Sequence, residues 1–354
     1  MEIMVLLFET GLKIEDLVKT SNERFEKFQQ VKGLLQKFYI SDPNSNQVGG
    51  IYVFDSKESL EAFRESELSK STSEAYQFLE PADVKGIKLC YEVKGEGYPI
   101  FLVHGFGNKK EYWIAQSGKL TNEFKVIALD CRGAGKSDRP NEPYTAEMIA
   151  KDVIGLMDIL KIQDAHFIGH SLGGAVVQHI ALMYPERIGK IILICTFPDF
   201  PLDKSGVEMF KRNWIDMYEA RKKDPVKAFY DKMKLRFSRE FFKIMKENPE
   251  RKIIGILSTK DLMDIDGIDP ATPQDINNLT NALITHKVLN KLQEIKTETL
   301  IIAGDKDRLG SKVSSEQLHQ KIPKSILKII PGGHFVNLEK APEINTLIID
   351  FLKS

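Results

Sequence analysis

Hydrophobic and polar positions along the chain fall into two textures. Over the first 80 residues, short apolar runs at 3–8, 34–40 and 51–54 read as strands. Residues 15–30 read as a helix, with Leu17, Val18, Phe25 and Phe28 as its packing positions. Residues 41–46 are dense in turn formers, and Gly49-Gly50 predicts a bulge or a close backbone approach. Ser56 is placed to cap a helix running to about Glu67, and a last strand is expected at 76–79. The order βαββαβ is the ferredoxin-like arrangement, an α+β fold.

From about Val84 the pattern changes. Residues 87–93, 100–103, 126–130, 166–169, 191–195, 300–303 and 326–330 are short apolar runs rich in β-branched residues. Helical periods at 146–160, 172–184 and 314–322 separate several of them. Strands alternating with helices predict an α/β fold, a parallel sheet covered on both faces. The long interval between Cys195 and Leu300 breaks the rhythm. It carries helical stretches at 207–219 and 225–233, which predicts a helical insertion over the sheet.

Charge adds one point to this picture. The 354 residues carry 50 basic and 50 acidic side chains, a formal net charge of zero. Bulk attraction to nucleic acid or to an anionic membrane is therefore not expected. The balance is uneven within the chain: residues 1–80 hold 9 basic and 14 acidic side chains, the remainder 41 and 36. The three cysteines, Cys90, Cys131 and Cys195, are widely spaced and form no CxxC, which favours a reducing, cytoplasmic setting. The apolar start at residues 3–8 is too short for a membrane helix and lacks a basic flank and a cleavage site. No membrane association is expected.

The sharpest chemical signal is Gly169-His170-Ser171-Leu172-Gly173, between an apolar strand and a helix. Such a strand–turn–helix GxSxG exposes the serine hydroxyl on a strained turn, with glycines leaving room for close packing. The helix amino terminus adds free N–H groups and a positive dipole end, suited to an oxyanion. A hydroxyl nucleophile needs a base, and the base an orienting acid. Pro331-Gly332-Gly333-His334, directly after an expected strand, presents His334 as the base. The strand at 300–303 runs into Gly304-Asp305-Lys306-Asp307, so Asp305 and Asp307 both qualify as the acid.

The order Ser171, then Asp305 or Asp307, then His334, together with His104-Gly105-Phe106-Gly107 after an earlier strand, resembles the α/β-hydrolase family in its serine-nucleophile branch. The resemblance covers about residues 84–354. It implies Asp307 as the acid, with Asp305 as fallback and Asp199 as a remote third candidate. It implies an oxyanion hole from the backbone N–H groups of Phe106 and Leu172, and a helical cap over about 197–294. A serine nucleophile argues against haloalkane dehalogenase and epoxide hydrolase chemistry. It leaves hydrolysis of a small apolar ester, lactone or thioester through an acyl-enzyme as the leading expectation. C–C bond hydrolysis, cofactor-free haloperoxidation and non-hydrolytic binding of a small molecule are the alternatives, since fold alone does not fix the reaction.

Other motifs fail on spacing. Gly133-Ala134-Gly135-Lys136-Ser137 lacks the leading glycine of a phosphate loop, because Asp130 stands there. Residues 261–269 do not place calcium ligands and are expected as a solvated turn in the cap. No cofactor and no metal is therefore expected. Val48-Gly49-Gly50-Ile51-Tyr52-Val53-Phe54 and the following Ser59-Leu60-Glu61-Ala62-Phe63 resemble small dimeric ferredoxin-like proteins of the mono-oxygenase type. The first 80 residues contain no His, Cys or Trp, so a dimerisation module at 1–82 ahead of a hydrolase at 83–354 is expected rather than redox chemistry. An aromatic pocket built from Phe38, Tyr39, Tyr52 and Phe54 is the alternative use of that module.

Overall fold

A computed structural model describes residues 1–9, 14–41, 47–66, 68–69 and 81–354. The chain forms two compact units, Met1–Glu80 and Pro81–Ser354. The first contains β1 (Glu2–Glu9), α1 (Ile14–Gln29), β2 (Leu34–Ser41), β3 (Gln47–Phe54) and α2 (Lys57–Glu65). The strands are antiparallel in the order β1-β3-β2, which matches the ferredoxin-like reading. Ser56 caps α2, accepting from the Ser59 amide at 3.1 Å. Of the turn expected at 41–46, Ser41 ends β2 and the rest lies outside the described residues, as does the strand expected at 76–79.

Gly49 and Gly50 pair in regular register, and the irregularity falls instead between Leu34 and Gln36. Gly50 is needed because a Cβ there would sit 2.8 Å from the Tyr52 ring. Met4, Phe28, Tyr52, Phe54, Leu60 and Phe63 form the core under the helices. Tyr52 and Phe54 are thus core residues and Tyr39 lies with Tyr52 around the Lys37 ammonium, whereas Phe38 is on the opposite sheet face, so the four aromatics do not line one pocket. Ile3 pairs with Val53, and Val5 and Phe38 both pair with Ile51, which puts these side chains on the other sheet face.

The second unit opens with the hairpin β4 (Ala82–Val84) and β5 (Ile87–Leu89), then β6 (Tyr91–Lys94) and β7 (Pro99–Val103). The expected single strand at 87–93 breaks at Cys90. There the chain leaves the hairpin for the main sheet, the Cys90 N–H donating to Ser137 Oγ at 2.8 Å. After α3 (Ile114–Leu120) come β8 (Lys125–Leu129), α4 (Ala146–Ile159), β9 (Ala165–His170), α5 (Leu172–Met183) and β10 (Ile188–Ile194). The insertion contributes α6 (Lys204–Lys223), α7 (Pro225–Arg236), α8 (Arg239–Glu247), α9 (Thr259–Gly267) and α10 (Pro273–Ile284). The chain ends with β11 (Thr299–Gly304), α11 (Lys312–Lys321), β12 (Ser325–Ile330), α12 (Val336–Glu339) and α13 (Ala341–Lys353).

The seven-stranded sheet has the order β12-β11-β10-β9-β7-β8-β6, parallel except for β6. Alternate residues serve two cores. Phe101, Val103, Ile127, Leu129, Phe167, Ile191, Leu193 and Ile301 face one layer of helices. Ile100, Leu102, Val126, Ala128, Ile168, Ile192, Ile194, Leu300 and Ile302 face the other. Burial on both faces explains why these strands read as unbroken apolar runs. Each such side chain contributes about 1.5–3 kcal/mol. The interior therefore leaves polar groups a place only at the strand ends.

The cap carries its own cluster, in which Phe229, Met233, Phe237 and Leu262 pack on Tyr112 and Phe335 of the sheet domain. The acidic stretch 261–269 differs from the solvated turn expected of it. It is mostly helix α9, with Ser258 and Asp261 forming a capping box and Asp266 only 4% exposed. Asp266 is buried because cationic side chains of α6 and α7 surround it.

The loop after β8 is fastened to α4 by Arg132, whose guanidinium clamps both oxygens of buried Asp152. Removing one partner of such a pair strands a buried charge. Asp152→Ala should cost about 3–5 kcal/mol, read as a lowered unfolding midpoint in denaturant.

Candidate active site

Ser171 sits between β9 and α5 with φ 55° and ψ −120°, a region that L-residues avoid. Tight packing enforces it. A Cβ on Gly173 would collide with the Val103 carbonyl oxygen, and one on Gly169 with the Gly173 carbonyl oxygen. The Ser171 amide donates to the Ile194 carbonyl at 2.9 Å, and its own carbonyl accepts from Thr196 Oγ1 at 2.7 Å. Thr196 gives no signal in the sequence, since its role depends on β10 lying beside β9.

Asp307 follows β11 and His334 follows β12, both at the carboxyl edge of the sheet, as is Ser171. His334 Nδ1 lies 2.9 Å from Asp307 Oδ2, with both side chains buried. The other oxygen, Asp307 Oδ1, accepts from the Leu309 and Gly310 amides at 2.7 and 3.1 Å. Burial pushes this carboxyl up. The His334 contact and the two amides outweigh it and hold Asp307 below the ordinary carboxylate range. Asp305 points elsewhere, its Oδ1 accepting from the Gly332 amide at 2.9 Å. It braces the loop that carries His334. Asp199 is also engaged, accepting from the Val288 and Leu289 amides at 2.9 and 3.1 Å. The structure therefore brings His334 to Asp307 and to neither alternative.

The amides of Phe106 and Leu172 have no hydrogen-bond acceptor among the described residues. A Cβ on Gly105 would lie 3.0 Å from the Ser171 Cβ, so the Phe106 loop runs directly past the serine. His104 holds this loop in place. Its Nε2 accepts from the Cys131 amide at 3.0 Å and its Nδ1 faces the Gly105 carbonyl at 2.9 Å.

Two further residues hold the loop that carries His334. His170 Nε2 donates to the His334 carbonyl at 2.8 Å. Glu339 accepts from the Gly333 amide at 2.8 Å and from the Ser238 amide at 2.7 Å, tying the histidine loop to the start of cap helix α8. Glu339 escaped the sequence reading because a carboxylate on a short helix has no local pattern that marks its partners. Cys195 Sγ clusters with Asp307 and His334, the one such potential metal-binding group among the described residues. Burial keeps Cys195 a thiol, and His334 Nδ1 and Asp307 Oδ2 are already spent on each other.

Residues 98–341 match the family model described as alpha/beta hydrolase fold, and the chain belongs to that family. Residues 4–79 match the model described as “Putative mono-oxygenase ydhR”. A “Putative non-heme chloroperoxidase” of Synechocystis is 30% identical over 75% of this chain and 95% of its own length. The 2-hydroxy-6-oxo-6-phenylhexa-2,4-dienoate hydrolase of Comamonas testosteroni is 27% identical over 81% of this chain and 99% of its own. Among solved structures, a thermophilic esterase from Thermogutta terrifontis, with malate bound, superposes with TM-score 0.63 at 25% identity. That match covers 75% of this chain and 93% of the esterase.

Three buried histidines, of which only His170 touches the candidate site, are kept neutral by burial. Burial lowers His170 and His286 from 6.5 to about 3, and His166 from 6.5 to about 4. An unfolded chain takes up protons at these groups near pH 6.5, whereas the native state does not until far lower. Native stability contributed by them is complete above about pH 6.5 and is lost as pH falls toward 4. His286→Gln should therefore make the melting temperature less sensitive to pH between 7 and 4.5 than in the wild type, as measured by calorimetry.

Proposed function

We propose that this chain is a serine hydrolase that cleaves a small ester, lactone or thioester through an acyl-enzyme. The observation that carries this reading is the His334–Asp307 contact of 2.9 Å beside a serine held at positive φ. With Nδ1 committed to Asp307, Nε2 is the nitrogen of His334 left to take the Ser171 proton. Ser171 Oγ then attacks the carbonyl carbon. The amides of Phe106 and Leu172 stabilise the developing oxyanion, aided by the amino terminus of α5. His334 returns the proton to the leaving group. It next activates water, which releases the acid and restores Ser171. The walls by the oxyanion loop are aromatic, with Phe106 edge-on to Phe210 and Trp214 at 5.2 and 4.9 Å, and suit an apolar part of the substrate.

The names of the relatives span a C–C bond hydrolase, a chloroperoxidase and an esterase, so membership of the family does not choose among them. Ester cleavage is favoured because it uses the nucleophile, base, acid and both amides and requires nothing further. Fluorophosphonate labelling and a panel of p-nitrophenyl esters test this. Ser171→Ala should abolish labelling and turnover. Asp307→Asn should lower kcat by about 10³–10⁴, because His334 would be held in the wrong tautomer. Asp305→Asn should cost less than about tenfold, since that carboxylate touches only the loop backbone. Turnover at the wild-type rate in Ser171→Ala would sink the proposal.

We further propose that the first unit pairs the chain into a homodimer through its open sheet face. Ile3, Val5 and Phe38 stand 63%, 53% and 46% exposed there, an apolar surface that a second copy would cover. In the full-length protein, Val5→Glu should convert dimer to monomer by light scattering. A dimeric mass for that variant would refute this mode of association.

A further inference from the structure

The cap and the oxyanion loop border a small, half-open cavity with room for a few waters or a carboxylate. It begins at Gly107, next to the Phe106 amide, and is walled by Trp214 and Tyr218. Its other wall is cationic. Lys109, Arg221 and Lys232 line it, and the Arg236 guanidinium lies 4.7 Å over the Trp214 ring. A single carboxylate, Asp266, serves this whole group. Arg221 reaches its Oδ2 at 2.7 Å, and Lys232 its Oδ1 at 2.5 Å. Tyr112 donates to the same Oδ1 at 2.9 Å.

Lys109 and Arg236 form no ion pair among the described residues, although they are only 2% and 4% exposed. Lys109 donates to the Ile265 carbonyl at 3.1 Å, and Arg236 to the Lys232 carbonyl at 3.2 Å. Neighbouring Lys110 shows the contrast, because it has taken the nearby acids Glu111 and Asp130 at 2.5 and 3.3 Å. Burial correspondingly lowers the Lys109 ammonium to about 8 and that of Lys232 below its ordinary value. Four cations beside one carboxylate, two of them buried without an ion pair among the described residues, are expensive to maintain unless a further anion visits.

We propose that this cavity is a subsite for a carboxylate on the substrate, remote from the carbonyl that Ser171 attacks. Members of the cationic group are tied to both loops of the candidate site. Lys109 follows Phe106 on the oxyanion loop, and the Arg236 carbonyl accepts from the Phe335 amide beside His334 at 3.1 Å. The apolar chain of such a substrate lies against Trp214, and its carboxylate meets Lys109 and Arg221. The proposal names the substrate class of the ester hydrolase proposed above and rests on that reading for the bond cleaved, but binding at the cavity does not need turnover.

The test uses full-length Ser171→Ala titrated with monomethyl glutarate, dimethyl glutarate and inorganic phosphate, followed by calorimetry and by Trp214 fluorescence. Monomethyl glutarate should bind at least tenfold more tightly than the neutral diester at low salt. Lys109→Met in the same background should remove most of that preference. Arg221→Gln, at the partly exposed rim, provides a second reading should Lys109→Met fail to fold. Equal binding of the two esters, tighter binding of phosphate, or a preference that survives both substitutions would overturn the proposal. Wild-type hydrolysis of the diester without any half-ester preference would remove the subsite and keep the hydrolase. Half-ester binding without hydrolysis by the wild type would do the reverse.

Discussion

Everything at the candidate site depends on one close approach of backbone to backbone. Helix α5 starts against β7 so tightly that only glycine fits at position 173, where any side chain would meet the Val103 carbonyl. That contact fixes the entry of α5 and forces Ser171 into its positive-φ turn. It also leaves the Leu172 amide at the helix start without an acceptor among the described residues. The strain at Ser171 is sustained by the burial of two complete apolar layers, whose summed stabilisation far exceeds the cost of one unfavourable backbone conformation.

The same sheet explains where polar chemistry can be placed. Its strands are buried on both faces, so charged groups collect at the carboxyl edge, where three loops present Ser171, Asp307 and His334. Each loop is fixed by polar contacts of its own. His104 ties the oxyanion loop to Cys131, Asp305 and Glu339 hold the glycines before His334, and Leu309 and Gly310 orient Asp307. The cap is joined to this arrangement through Glu339 and Phe335. Cap position and base position are therefore mechanically linked.

The cap adds a second electrostatic environment beside the first. Around the serine, the carboxylates Asp307 and Glu339 are satisfied by His334 and by backbone amides. Around Asp266, positive charge is in excess: Lys109 lines the cavity and Arg236 is buried against Trp214, neither with an ion pair among the described residues. Aromatic residues in the cap sequence point toward an apolar substrate. The folded cap combines those rings with cations, a combination suited to a chain with an apolar body and an acidic end.

Much of this was legible in the sequence because it is local. Continuous apolar runs identify buried parallel strands, GxSxG between strand and helix identifies the elbow, and Ser56 announces the start of α2. The choice between Asp305 and Asp307 was not local. Both follow the same strand; the family resemblance implies Asp307, and the fold shows that its carboxylate reaches the His334 ring while that of Asp305 stops at the Gly332 amide. Cys90 interrupts an apolar run that reads as one strand, because the break depends on a hydrogen bond to Ser137, far along the chain. The acidic stretch 261–269 reads as solvated, since the sequence does not reveal that Arg221 and Lys232 will surround Asp266. Periodicity and turn chemistry are properties of neighbouring residues, and they mark most of the elements and the serine elbow. Partnerships between distant side chains arise only when the chain has packed, so the carboxylate that meets His334, the braces of its loop and the charge of the cap cavity were decided by tertiary structure.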